Sequence, residues 1–223
     1  MPRWLRPTAA IAPQAILVGD PGRALLLAQE LLDEPKMSNH ARGLWGYFGR
    51  TASGGALTIQ ATGIGGPSAA LVLADLAELG VRRVVRVGTC VGLDDGRTLG
   101  ELLVVRGAVA EGGSATSLGV AVGETVAPSA GLTAELGKAL AEDGRAGTVA
   151  SFDAHADEQA RAPGIVAADM QTAPLLARAR SLQVEAAAVL IVAEMAGGTL
   201  LERDALKPIE KRAGRAAGGV LSG

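Results

Sequence analysis

Apolar residues along the chain follow two rhythms, and the points where one gives way to the other mark its elements. Residues 15–19 (AILVG) form a short unbroken apolar run, and residues 57–62 alternate Leu57 and Ile59 with polar neighbours up to the β-branched Thr62. Both stretches break at glycines, the first at Gly19-Asp20-Pro21-Gly22 and the second at Gly63, Gly65 and Gly66. The spacing then turns helical. Leu25, Leu26, Leu27, Leu31 and Leu32 predict a helix from about Arg23 to Asp33, and Ala70, Val72, Leu73, Leu76 and Leu79 predict a second that ends at Gly80. Val84 to Val87 restore a strand. Strand, glycine turn, helix and strand in close succession are the pattern of a βαβ unit in a parallel sheet.

Later segments are less regular. SNHARGLWGYFGR (38–50) reads as a hairpin or loop around an aromatic cluster, with His40 as a packing residue. Residues 101–110 read as a strand, 112–130 as a Gly/Ser/Ala-rich loop, 132–143 as a helix and 147–151 as another strand. AAAVLIVAEM (186–195) is a buried strand that ends at Glu194, and residues 204–221 form an amphipathic helix with a basic, solvated face.

Composition narrows the class. A chain of 223 residues without repeats or linkers is read as one domain, 1–223, long enough for a substantial core. A net charge of −2 gives no reason to expect a nucleic-acid or membrane partner. Cys90 is the lone cysteine, so a disulfide framework is excluded and a reducing cytoplasm fits. The N-terminus (MPRWLRPTAAIAPQ) is basic but lacks a long apolar core, and is not read as a signal peptide.

The candidate chemistry lies at the strand ends, where open α/β sheets bind their ligands. The turn at Gly63–Gly66 runs into a helix N-terminus, whose N–H groups attract anions. A dinucleotide site would require Gly-x-Gly-x-x-Gly and an acid closing the next strand. Here Ser68 holds the last glycine position and the next strand carries Arg86, so a nicotinamide cofactor is not expected. A guanidinium inside an apolar strand is costly unless compensated. A structural carboxylate or a bound anion would serve equally.

The segments VGDPGRA, NHARGLWGYFG, TGIGGPSAA and VVRVGTCVG resemble, in order and spacing, the nucleoside phosphorylase family, which includes hexameric bacterial purine nucleoside phosphorylases and uridine phosphorylases. ADMQTAPLLARA is similar to that family's Glu-Met-Glu ribose motif. The resemblance implies a three-layer α/β/α sandwich with a mixed, partly barrel-like central sheet. It implies phosphate held by Gly19, Arg23, Arg86 and Thr89, with Arg42 donated by a neighbouring subunit. Nucleoside and inorganic phosphate are then the substrates, with no cofactor or metal, and the expected assembly is a dimer or a trimer of dimers with shared sites.

In such a reaction phosphate displaces the base from the anomeric carbon through a cationic transition state. Positioning and electrostatic stabilisation by arginines suit that step. Arg86 is the first catalytic candidate. The second is Glu194, which stands where purine enzymes carry an aspartate that protonates the base. Gln159 and Arg161 match a Gln-x-Arg that reads uracil, and His155 takes the place of a stacking phenylalanine, so a uridine-type substrate is favoured over a purine.

Met170 and Gln171 fall on the ribose motif, but Gln171 replaces the family's second glutamate. An amide has one acceptor oxygen and no charge. On the sequence alone, Gln171→Glu is expected to raise ribonucleoside turnover about tenfold. The family's N-terminal histidine also has no counterpart; Arg3 or Trp4 lies near its position. A degenerate, non-catalytic binding paralogue is therefore an alternative. A hydrolytic nucleosidase is disfavoured, having no use for three phosphate arginines.

Overall fold

The computed structural model describes residues 2–142, 144–155 and 163–223. In chain order the elements are β1 (Gln14–Val18), α1 (Pro21–Leu31), β2 (Asp33–Asn39), a 3-10 turn (Ala41–Gly43), β3 (Gly46–Arg50), β4 (Ala56–Ala61), α2 (Gly65–Glu78) and β5 (Arg83–Gly92). They continue as β6 (Leu102–Ala110), α3 (Gly113–Thr116), β7 (Thr125–Val126), α4 (Ala130–Ala139), β8 (Gly144–Ser151), β9 (Ile165–Asp169), α5 (Thr172–Leu182), β10 (Glu185–Met195), β11 (Thr199–Leu200) and α6 (Arg203–Ser222).

The strands make one mixed sheet in the order β11-β10-β6-β8-β9-β5-β1-β4-β3-β2. β1 lies between β4 and β5, parallel to both. β5 also pairs in parallel along β10, so β5, β10, β6, β8 and β9 close into a ring. Closure removes the exposed edge that an open sheet would leave on that side. β2 and β3 form the antiparallel hairpin read from residues 38–50, although its first strand starts earlier, at Asp33.

Because successive strand residues face opposite ways, each parallel strand feeds two cores. Ile16, Val85, Val87 and Val189 pack with Leu27, Leu132, Leu136 and Ala217 on the α1, α4 and α6 side. Leu17, Val84 and Leu190 pack with Leu73, Leu76, Leu175 and Leu176 on the α2 and α5 side. The result is the three-layer α/β/α sandwich that the sequence resemblance implied. No helix among the described residues is long and apolar enough to cross a membrane.

Several boundaries differ from the sequence reading. Residues 112–130 hold α3 and the short strand β7, which pairs with β6 through Val126 and Thr125. The helix expected over 132–143 ends at Ala139, and the strand expected from 147 starts at Gly144. A pair of residues too short to show any period, such as Thr125-Val126, acquires its strand conformation from a partner that is distant in sequence.

The N-terminal segment is tied down by one buried carboxylate. Asp75 on α2 accepts from the backbone N–H groups of Arg3 (3.0 Å), Trp4 (2.6 Å) and Leu5 (2.7 Å), and Leu5 is buried beside it. Asn at this position offers one acceptor oxygen instead of two. Asp75→Asn should therefore cost about 1–3 kcal/mol of stability. An unchanged urea midpoint would show that Leu5 and the backbone bonds of Arg6 to Asn39 and Thr8 to Ser38 hold the segment without the carboxylate.

Candidate active site

A cavity of about 730 Å³ opens where the parallel strands end at their carboxyl termini. Its wall includes Gly19, Arg23, Arg86, Thr89, His155, Met170, Gln171 and Glu194, eight of the residues singled out in the sequence. Arg42 is not among them. It lies exposed on the 3-10 turn, with φ of 61°, and its guanidinium stacks 5.2 Å above the Trp4 ring. Gln159 and Arg161 lie outside the described residues.

The two wall arginines come from opposite layers, and each is already partnered. Arg86 points to the α2 and α5 side, 4% exposed. Its Nη2 donates to Asp169 Oδ2 (2.9 Å), Nη1 to Gln171 Oε1 (2.7 Å) and Nε to Thr172 Oγ1 (3.2 Å). A structural carboxylate thus compensates the guanidinium that the apolar strand left open to question. Gly88 makes room for it, since a Cβ there would lie 2.6 Å from Nη2. Asp169 also accepts from Ser151 Oγ and caps α5 through the N–H of Thr172. Arg23, on the α1 and α6 side, donates from Nε to Glu210 Oε1 at 2.6 Å and from Nη1 to the Val87 carbonyl at 3.4 Å. Its Nη2 has no partner among the described residues.

Gln171 spans the turn between β4 and α2. Its Nε2 donates to the carbonyls of Gly63 (2.6 Å) and Gly65 (3.3 Å), while Oε1 accepts from Arg86 and from Thr62 Oγ1 (3.2 Å). Gly63 and Gly65 both adopt positive φ, which a side chain would resist. The amide therefore fixes a turn that only glycine makes cheaply.

At the far side of the cavity the pairing of β10 with β5 slips by one residue between Val192 and Glu194. The slip sets Ala193 and Glu194 both on the cavity wall. Glu194 Oε2 meets His155 Nε2 at 2.9 Å. Cys90 also borders the cavity, but its thiol is buried and donates to the Ile191 carbonyl. Burial first, and the Asp169 charge second, push that thiol well above the ordinary cysteine range. Cys90 should resist alkylation by iodoacetamide at pH 8 until the protein is unfolded, because the thiolate is the nucleophile. Rapid native-state labelling, followed by mass spectrometry, would contradict this.

Sequence reasoning missed three of these partners. Asp169 opens the segment matched to the ribose motif, and its position three residues before Thr172, at the head of an apolar run, is a helix-capping signal. Glu210 shares the face of Ala213, Gly214, Ala217 and Leu221, which are buried on α6. An acid on that face calls for a buried cation. Asp20, which caps α1 through the N–H groups of Gly22 and Arg23, was legible as Asp before Pro-Gly.

The profile of the Phosphorylase superfamily matches residues 13–222, so the chain belongs to that family. A DeoD-type purine nucleoside phosphorylase of Oceanobacillus iheyensis is 35% identical over 102 residues, covering 45% of this chain and 43% of that protein. One from Lacticaseibacillus casei is 38% identical over 111 residues, covering 49% of this chain and 44% of that protein. The chain thus matches less than half the length of these curated relatives. A uridine phosphorylase from Vibrio fischeri superposes with a TM-score of 0.83 at 26% identity, covering 95% of this chain and 92% of that one. The purine nucleoside phosphorylase of Toxoplasma gondii, crystallised with immucillin-H, also superposes at 0.83 but is 18% identical, a likeness of fold alone.

Proposed function

We propose that this protein is a nucleoside phosphorylase, a pentosyltransferase that cleaves the N-glycosidic bond of a nucleoside with inorganic phosphate, releasing the base and ribose 1-phosphate, and that it works in the cytoplasm without a cofactor. One observation carries the reading: a single cavity joins an anion-suited wall to a proton-bearing wall. The first wall has Arg23, Thr89, Gly19 and the N-terminus of α2. The Nη2 of Arg23 and the glycine-turn N–H groups supply donors for a phosphate oxygen. Arg86, held rigid by Asp169, lies beside that wall. Across the cavity, His155 and Glu194 face the place of the leaving base.

With the amide of Gln171 engaged by the glycine turn, Met170 is left as the apolar surface for the sugar. The uracil preference expected from the sequence rests on Gln159 and Arg161. His155 and Glu194 are the polar residues described at the base end.

Arg42 completes the phosphate site of a neighbouring copy in this reading. Its exposure, its left-handed backbone and its absence from its own chain's cavity support that role. Non-glycine residues held in such conformations often serve a site. The protein should then sediment as a dimer or a hexamer, and Arg42→Ala should lower phosphate-dependent turnover about a hundredfold without changing the assembly. A monomer with full turnover would defeat the shared site.

Because buried carboxylates already neutralise both wall arginines, a hydrolytic reaction is the second reading. Incubating the protein with uridine, inosine and thymidine, with and without phosphate, separates the two. Base release that requires phosphate and yields ribose 1-phosphate is expected. Equal release without phosphate would mean hydrolysis, and no release from any nucleoside would mean a binding paralogue.

A further inference from the structure

We infer that His155 is the proton donor to the leaving base, with Glu194 as its positioning residue. The inference rests on the nucleoside-cleaving reading above. The titratable side chains that border the cavity among the described residues are Asp20, Cys90, His155, Asp169 and Glu194, together with Arg23 and Arg86. Most of them are committed elsewhere. Asp20 caps α1, Asp169 is bound to Arg86 and Thr172, Arg23 is bound to Glu210, and the Cys90 thiol donates to a backbone carbonyl. Among the described residues the side chains of His155 and Glu194 are tied only to each other.

Their geometry assigns the two ring nitrogens. An ionised carboxylate accepts hydrogen bonds and cannot donate them. At 2.9 Å from Glu194 Oε2, His155 Nε2 therefore carries a proton, and Nδ1 is the nitrogen that exchanges one. The His155 side chain is 64% exposed and that of Glu194 22%, so the carboxylate is the fixed member and the imidazole the one that meets solvent and ligand. Imidazole is also the side chain that exchanges protons near neutral pH, where carboxylic acids are already ionised.

The step balances as follows. A phosphate oxygen forms a bond to C1′ while the C1′–N bond breaks, and that electron pair goes to the base. Nδ1–H of the imidazolium passes its proton to the base, at N7 of a purine or at a carbonyl oxygen of uracil. The proton of hydrogen phosphate is released as the sugar 1-phosphate dianion forms, and it reprotonates His155 through solvent. Glu194 stays ionised throughout and balances the imidazolium charge.

The test compares leaving bases that need a proton with bases that do not. In the purine series the pair is inosine and 7-methylguanosine, whose base is already cationic; in the pyrimidine series it is uridine and the better leaving group 5-fluorouridine. His155→Gln should lower kcat/KM about a hundredfold or more for inosine or uridine, and by a clearly smaller factor for the activated partner. Glu194→Gln should lose about tenfold with the same dependence on leaving group. Thermal melts check that each variant is folded. Equal losses for both members of a pair, or no loss, would overturn the assignment even with the phosphorylase reading intact. Wild-type protein that cleaves neither series, with or without phosphate, would remove the parent reading and this inference together.

Discussion

Replacing Arg86 by alanine is expected to lower the unfolding free energy by about 3–5 kcal/mol, the cost of leaving one member of a buried ion pair without the other. The partner is Asp169, whose side chain is 1% exposed and sits on the Arg86 guanidinium at 2.9 Å. Ser151 and Thr172 still donate to the stranded carboxylate, but neither cancels its charge. The substitution also frees Gln171 Oε1 and Thr172 Oγ1, so three neighbours lose a donor at once. From the sequence alone the same change is expected to abolish phosphate-dependent cleavage and leave the fold intact. The ion pair adds a stability cost to the loss of activity. Urea unfolding followed by circular dichroism measures it. The double variant Arg86→Ala/Asp169→Asn should recover part of the loss, because no charge then remains buried. A single variant within about 1 kcal/mol of the wild type would mean that water reaches Asp169 and that the pair does not brace β5 against α5.

Gln171→Glu should move stability and turnover in opposite directions. The amide nitrogen lies 2.6 Å from the Gly63 carbonyl and 3.3 Å from that of Gly65, so a carboxylate oxygen in its place would face two acceptors. Losing those bonds from a buried site should cost about 1–3 kcal/mol. Repelled by the turn, the carboxylate rotates toward the cavity that Gln171 lines. There it can accept from sugar hydroxyls and favour a cationic transition state. Turnover of ribonucleosides should rise about tenfold, with a smaller gain for 2′-deoxynucleosides, which offer one hydroxyl fewer. A lower melting temperature together with a higher kcat is the expected signature. Reduced stability with unchanged or reduced kcat would show that Gln171 serves the turn and that the sugar is held by other groups.

These two positions also show how far the sequence reaches. Local patterning is enough to place β1, β4, α1, α2, β5, β10 and α6, because each carries its own apolar period and its own glycine or proline stop. Gly19, Arg23, Arg86, Thr89 and the Met170-Gln171 motif, which line the cavity, were named by the resemblance to the phosphorylases and not by local patterning. The pairing of the two arginines was legible in neither. Glu210 reaches Arg23 across 187 positions of chain, and Asp169 reaches Arg86 across 83. No periodicity within one element encodes such a meeting.

What the sequence determined by itself is the parallel α/β order, the glycine turns and the family to which they belong. These depend on intervals of a few residues, over which backbone preference and amphipathic spacing act directly. What only the tertiary structure decided is the chemical state of the site. Closure of β5, β10, β6, β8 and β9 brings Asp169 to Arg86, the packing of α6 on α1 brings Glu210 to Arg23, and the register slip after Val192 sets Glu194 against His155. Whether a buried guanidinium is free or neutralised depends on a contact only a few ångströms long, because unscreened charge interacts strongly at that distance and weakly beyond it. Such a contact exists only once the sheet has closed and the helices have packed.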